Sequence, residues 1–220
     1  MNAPGVRADY HGLVRSDVFP LLPNRIERLL DVGGGIGATA SAIKEQRKAG
    51  YAGVIDQVAG VPAPGIVLDF REAVDLSDLS SIARIGAKHG PFDCILCLDV
   101  LEHLIDPWSV VKALHSLLSP GGVIVASLPN VQHHSVVRAL MNGDWRYDEK
   151  GGLLDRTHLR FFVRRTAIEL LTSSGLKLDE IGFTGLGPGS KSGLVDKMSF
   201  GALRGFLAYQ YLIRVRRSEV

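Results

Sequence analysis

The first residues here that could do chemistry are two carboxylates and a run of glycines. The chain reads Asp31-Val32-Gly33-Gly34-Gly35-Ile36-Gly37, and Asp56 follows at about the spacing of a ribose-binding acid. Glycines after a strand let the backbone approach a ligand closely. Gly33-x-Gly35-x-x-Ala38 also satisfies the dinucleotide pattern, so the loop alone does not identify its ligand. Asp31 helps to do so. It sits at the tip of the strand, where a carboxylate would repel a pyrophosphate at short range. It suits a ligand carrying ammonium and sulfonium charge; the plainer alternative is a solvated or capping aspartate. A P-loop is excluded, because no Gly-Lys-Ser/Thr follows.

These residues need a scaffold, and the pattern supplies one. From Ile26 onward short apolar runs alternate with helical patterns, which argues for βαβ units and a parallel sheet. Strands are predicted at 28–32, 51–56, 65–70, 92–99, 122–128, 176–183 and 209–215. Helices are predicted at 38–49, 75–88, from Asp106-Pro107 to Pro120-Gly121-Gly122, at 131–141, 166–174 and 194–207. Pro62 and Pro64 leave little room for a full helix after the second strand. The sum is an α/β fold: a doubly wound, mostly parallel seven-stranded sheet whose ligand should bind at the carboxyl ends of the strands. Residues 1–25 are expected as an N-terminal arm and 26–217 as a single domain. Within it, 142–162 is a polar, aromatic-bearing covering segment and 185–208 is an insertion before the last strand.

Cys94 and Cys97 have C-x-x-C spacing but fall in the apolar run 92–98. Side chains three apart on a strand face opposite ways, so two inert buried thiols are expected. The 220 residues carry a formal net charge of +2, a weak electrostatic case for nucleic acid. No apolar run reaches the roughly 20 residues that span a bilayer. Residues 1–10 lack the basic and apolar regions of a secretory signal, so a cytoplasmic protein is expected.

Three blocks carry a family resemblance. Leu29 to Gly37, Phe92-Asp93-Cys94-Ile95 through Asp99-Val100-Leu101-Glu102-His103-Leu104, and Leu118-Ser119-Pro120-Gly121-Gly122 occur in the order and spacing of class I S-adenosylmethionine (SAM) methyltransferases, which the chain resembles from about Arg28 to Arg217. Gly34 stands where that family commonly has cysteine. More narrowly, Leu128-Pro129-Asn130-Val131, Gly143-Asp144-Trp145 and Leu154 to Phe162 are similar to a bacterial subgroup associated with polysaccharide and cell-envelope biosynthesis. They are also similar to ubiquinone-biosynthesis O-methyltransferases and to MetW-like proteins.

The resemblance implies roles residue by residue. Asp31 and the loop glycines Gly33, Gly34, Gly35 and Gly37 would hold the methionine part of SAM. Asp56 would accept from the ribose hydroxyls, Asp69 and Phe70 would meet the adenine, and Asp99 and Val100 would line the floor near the sulfonium. SAM is an activated donor that leaves as S-adenosylhomocysteine. The protein must therefore position the acceptor, and an oxygen acceptor gains from a general base. Of seven histidines, His158 in Asp155-x-x-His158 is the first candidate base and His133 the second. The plain alternative for each is a structural histidine.

Asn130, His134, Trp145 and Tyr147 are candidate acceptor contacts, while Phe161 and Phe162 read as packing under the next helix. Asp99, Glu102 and His103 are able to ligate a divalent ion, but the block reads as packing around SAM and no metal is assigned. His11, His89 and His115 read as residues without chemistry. Lys191, Lys197, Arg204, Arg214, Arg216 and Arg217 near an apolar helical face suggest weak membrane-surface contact, against a solvated basic edge.

The leading expectation is O-methylation of a small molecule or of a sugar on an envelope glycan or its lipid-linked precursor. The alternatives are a non-catalytic SAM-binding partner protein and a nicotinamide-dependent oxidoreductase. A nucleic-acid acceptor is disfavoured, since Asp99-Val100-Leu101-Glu102 stands where a base-modifying Asn/Asp-Pro-Pro-Tyr/Phe would be.

Overall fold

The computed structural model describes residues 13–47, 49–58 and 63–219. The expectations for residues 1–10, His11 and Pro62 lie outside the described residues. Seven strands form one sheet: β1 (Arg28–Val32), β2 (Tyr51–Asp56), β3 (Phe70–Ala73), β4 (Phe92–Leu98), β5 (Leu118–Pro129), β6 (Lys177–Phe183) and β7 (Gln210–Arg216). Their order is β3-β2-β1-β4-β5-β7-β6. Only β7 runs against its neighbours, pairing antiparallel with both β5 and β6. The helices are α1 (Ala38–Arg47), α2 (Leu79–His89), α3 (Pro107–Leu117), α4 (His134–Met141), α5 (Arg164–Thr172), α6 (Lys191–Met198) and α7 (Arg204–Leu207), with a 3-10 helix at Ser16–Leu21.

The apolar runs of β1, β2 and β4 are buried on both faces, as expected of central parallel strands. One face packs against α2, α3 and α5 through residues such as Leu30, Ile95, Leu114 and Leu170. The other packs against α1 and the N-terminal 3-10 helix through Leu29, Ile43, Val18 and Leu21. Cys94 and Cys97 fall into these two different cores and burial pushes both thiols up, so neither is a reactive pair. The chain crosses from β3 back to β4 beside β1. The topological switch therefore lies between β1 and β4, and their carboxyl ends open a cleft.

Several elements differ from the sequence expectation: α2 begins at Leu79 and not 75, α4 at His134 and not 131, and three others change more than an end. β3 spans Phe70–Ala73 and not 65–70, pairing Gly53 with Phe70 and Asp56 with Ala73. The apolar Ile66-Val67-Leu68 imitates a strand, yet Leu68 packs on the β2–α1 side of the sheet. β5 begins at Leu118, directly after α3. Phe92 opposes Leu118 and Cys94 opposes Val123, so Pro120-Gly121-Gly122 is accommodated as a bulge within the strand. The helix expected over 194–207 is two helices, because Phe200 and Gly201 both take positive φ (51° and 80°) and break it.

Candidate active site

At the β1 tip Asp31 is 2% exposed. Burial, reinforced by Asp56 and offset in part by Arg15, pushes its carboxyl up to about 7. The loop that follows cannot carry side chains freely. Gly33 has φ of 69°, and a Cβ there would lie 2.4 Å from Val100. At Gly34 a Cβ would lie 2.4 Å from the Asp31 carboxylate, so this glycine leaves the acid its space. Asp56, at the carboxyl end of β2, accepts from the Gly35 amide at 2.9 Å and the Val58 amide at 3.2 Å, tying the loop to the next strand.

At the head of β4 Asp99 takes the left-handed backbone conformation (φ 56°), a strained state for a non-glycine residue that tends to mark functional positions. Its carboxylate accepts from Ser127 Oγ at 2.8 Å and from Gln210 Nε2 at 2.7 Å, and pairs with Arg15. Leu13, Arg15, Asp31, Gly33, Gly34, Ala38, Thr39, Leu98 and Asp99 line a narrow open cleft at the carboxyl ends of β1 and β4. The sequence reading missed Arg15, Gln210 and Arg71. Arg71 on β3 donates to the Gly35 carbonyl at 2.6 Å and also to the Ile36 carbonyl, bracing the loop from below. All three come from strands or segments far from the motif, and single-residue type gives no signal for them.

Asp69 and Phe70 lie elsewhere. Asp69 accepts from Lys44 Nζ at 2.5 Å and from the Ala52 amide at 2.6 Å, near the amino end of β2. Burial opposes its ionisation, but these bonds outweigh that and hold its carboxyl below the usual range. Phe70 stacks on His89 at 3.7 Å. Both residues are at the end of the sheet away from Asp31 and Asp56. The shift of β3 from 65–70 to Phe70–Ala73 moves the ligand-side end of that strand to Ala73, Val74 and Asp75. A second cleft lies there, lined by Leu76, Leu79, Leu104 and Val110 among others.

Just past the carboxyl end of β4, two motifs read separately from the sequence dock on each other. Glu102 offers its carbonyl to the amides of Leu159 (2.8 Å) and Arg160 (3.0 Å), and Thr157 Oγ1 meets His103 Nδ1 at 3.0 Å. His158 is thereby buried at 7% exposure, its Nε2 3.9 Å from Glu102 Oε1. Its Nδ1 lies 3.3 Å from the Leu153 carbonyl, which an N–H satisfies; the lone pair of the neutral ring is then on Nε2. Burial, then His103, lowers its pKa and favours that neutral form. Glu102 is 1% exposed and, among the described residues, neither carboxyl oxygen has a hydrogen-bond partner. Burial and the neighbouring Asp99 hold it well above the usual carboxylate range. Donor atoms of Glu102, His103 and His158 all lie within 4.8 Å of one another, a set able to hold a divalent ion. His158 thus stands where the sequence suggested Asp99 as the third donor.

The remaining candidates separate. Asn130 is fully buried with its amide fully used: Nδ2 donates to the carbonyls of Gly205 (2.8 Å) and Ala208 (2.7 Å), and Oδ1 accepts from Tyr211 OH (2.7 Å) and the Gln132 amide (2.9 Å). It is a structural knot with no capacity left for an acceptor. His133 caps α4 through Nδ1, and burial followed by His134 lowers its pKa. His134 is exposed and its Nδ1 is 3.1 Å from the Phe206 carbonyl. Trp145 and Tyr147 ring Phe161 at 5.4 and 6.4 Å, and His158 is 6.3 Å from it. Phe161 therefore belongs to the aromatic wall, and only Phe162 goes into the core as expected. His89 and His115 are bonded to Glu72 and the Ser174 carbonyl respectively, as structural residues.

Residues 7–181 match the family described as Methyltransferase domain. The chain is 30% identical over 177 residues to the ubiquinone biosynthesis O-methyltransferase of Pseudomonas aeruginosa, covering 75% of this chain and 74% of that protein. The Pseudomonas paraeruginosa protein of the same name is 31% identical over the same lengths. In fold it is similar to a SAM-dependent methyltransferase from Mesorhizobium loti (TM-score 0.60, 19% identity, 91% of this chain and 96% of that one). Another from Archaeoglobus fulgidus gives TM-score 0.61 at 17% identity, with 97% and 95% covered. A nicotinamide oxidoreductase is thereby set aside. The chain belongs to the methyltransferase domain family and is a SAM-dependent methyltransferase.

Proposed function

We propose that this enzyme methylates an oxygen of a small molecule or of a sugar on an envelope glycan or its lipid-linked precursor, with His158 as the base. The observation that carries the proposal is the place of the His158 ring: buried, with Nδ1 on the Leu153 carbonyl and Nε2 turned to the carboxyl of Glu102, beside the aromatic cluster around Phe161. The relatives named as O-methyltransferases support oxygen as the acceptor atom.

When bound, SAM supplies an electrophilic methyl group on a positively charged sulfur and leaves as the thioether S-adenosylhomocysteine. Asp31 attracts the ammonium of the methionine part, and Arg15, which lines the same cleft, is suited to its carboxylate. Gly33, Gly34, Gly35 and Gly37 allow close backbone approach, while Asp56 accepts from the ribose hydroxyls. Asp99 and Val100 form the floor below the sulfonium, and the carboxyl end of β3 replaces Asp69 and Phe70 beside the adenine. His158 Nε2 takes the acceptor hydroxyl proton as the oxygen attacks the methyl carbon, and segment 142–162 excludes water. Trp145, Tyr147 and Phe161 hold the acceptor, and His134 and His133 border its entrance.

Single-turnover assays on quinol-type, sugar and lipid-linked acceptors test this. O-methylated product from wild type and its loss in His158→Ala are expected. Tight SAM binding without turnover on any acceptor, together with a stable complex with another biosynthetic protein, would support the non-catalytic reading instead.

A further inference from the structure

Between Lys191 and Tyr209 the chain is inside out. α6 turns Gly193 and Asp196 inward, whereas its exposed side carries Leu194, Val195 and Met198 at 62, 40 and 72% exposure. Past its end Phe200 is 98% exposed, followed by Leu203 at 44% and Phe206 at 38%. A helix on a water-facing surface ordinarily hides its apolar stripe, and exposed apolar residues gathered in one segment mark an interaction surface.

The charges say what the surface fits. Residues 191–209 carry three cations, Lys191, Lys197 and Arg204, and one acid, Asp196. That acid is buried and paired with Arg204 at 2.9 Å, so the charge left on the outside is the exposed Lys191 and Lys197. Apolar side chains flanked by lysines with no exposed carboxylate are the composition of a helix that lies in a headgroup layer.

We infer that this face docks on an anionic lipid surface, with Met198 and Phe200 entering the acyl boundary and Lys191 and Lys197 meeting lipid phosphates. No helix among the described residues is long and apolar enough to cross a membrane, so the contact is peripheral. The segment is built into the acceptor side of the enzyme: Asn130 holds the Gly205 and Ala208 carbonyls, and His134 meets the Phe206 carbonyl. Docking therefore turns the carboxyl end of β5 toward the bilayer. This deepens the reading of a lipid-linked acceptor, although the docking itself does not depend on acceptor chemistry.

The test is co-sedimentation with sucrose-loaded vesicles of phosphatidylcholine, with and without phosphatidylglycerol, at low and high salt. Wild type is expected to bind the anionic vesicles about tenfold more than the neutral ones, and less in high salt. Met198→Ser/Phe200→Ser and Lys191→Glu/Lys197→Glu should each cut binding by about tenfold while keeping Tm and SAM affinity. No binding of wild type to anionic vesicles, or variants that bind as wild type does, would overturn the proposal. Sedimentation velocity serves as a control: a wild-type dimer that Phe200→Ser converts to monomer would assign the face to a second copy and likewise overturn it. Retained SAM binding and turnover in any of these outcomes leaves the methyltransferase reading intact.

Discussion

Burial shifts the protonation of both His158 and Asp31. His158 is kept neutral by burial and His103, so the acid limb of turnover should lie below the usual histidine range, under about pH 6.5. His158→Ala is expected to lower kcat by about a hundredfold while SAM affinity stays within about twofold. An unchanged kcat would end its role as base. Asp31 titrates near 7, against 3.8 for the unburied group. Its raised pKa makes the folded state bind a proton more tightly than the unfolded one. The associated stability, roughly 4 kcal/mol, is present in acid and lost as pH rises from about 4 to 7. A cationic ligand favours the ionised form. SAM binding should then release a proton near pH 7 and weaken about tenfold per unit below it. Calorimetry in buffers of different ionisation enthalpy reads the proton directly; a heat independent of buffer would refute the linkage. The sequence showed that Asp31 stands beside the glycines, but its depth and the neighbouring Arg15 come only from three-dimensional packing.

At the scale of elements, β1, β2 and β4 were legible and the β3 edge was not. β1 and β2 begin and end at the residues expected, because runs buried on both faces have no other reading. β3 is an edge strand of sequence Phe-Arg-Glu-Ala, whose polar content hides it beside the more apolar 66–68. That one shift displaced the adenine assignment onto Asp69 and Phe70. Asp69→Asn should therefore lower Tm by a few degrees through the loss of the Lys44 pair and leave SAM affinity unchanged. A tenfold loss of SAM affinity would restore Asp69 to the ligand site. Asn130 is the opposite case, a motif residue whose work is structural. Asn130→Ala leaves two carbonyls and the Tyr211 hydroxyl without their partner, at a cost of about 3 kcal/mol or roughly 6–12 °C in Tm. Thermal unfolding within 2 °C of wild type would contradict the knot.

The whole molecule joins two halves that the sequence presented as separate motifs. One half is the glycine loop with Asp31 and Asp56 at the carboxyl ends of β1 and β2. The other is the Asp155 to Arg160 stretch folded over Glu102 and His103 at the end of β4. The topological switch between β1 and β4 brings them to the same edge of the sheet. Motif order revealed the family, but the contact between Glu102 and His158, 56 residues apart, has no signature in a single sequence. The most direct measurement is calorimetric titration of the purified chain and of Asp56→Asn with SAM and S-adenosylhomocysteine. The substitution keeps an oxygen to accept the Gly35 amide but removes the charge. Micromolar binding of both ligands to wild type, weakened about tenfold or more by Asp56→Asn in a protein of unchanged Tm, is the expected result. A folded wild-type protein that binds neither ligand, or an Asp56→Asn protein that binds both as tightly as wild type, would contradict the site.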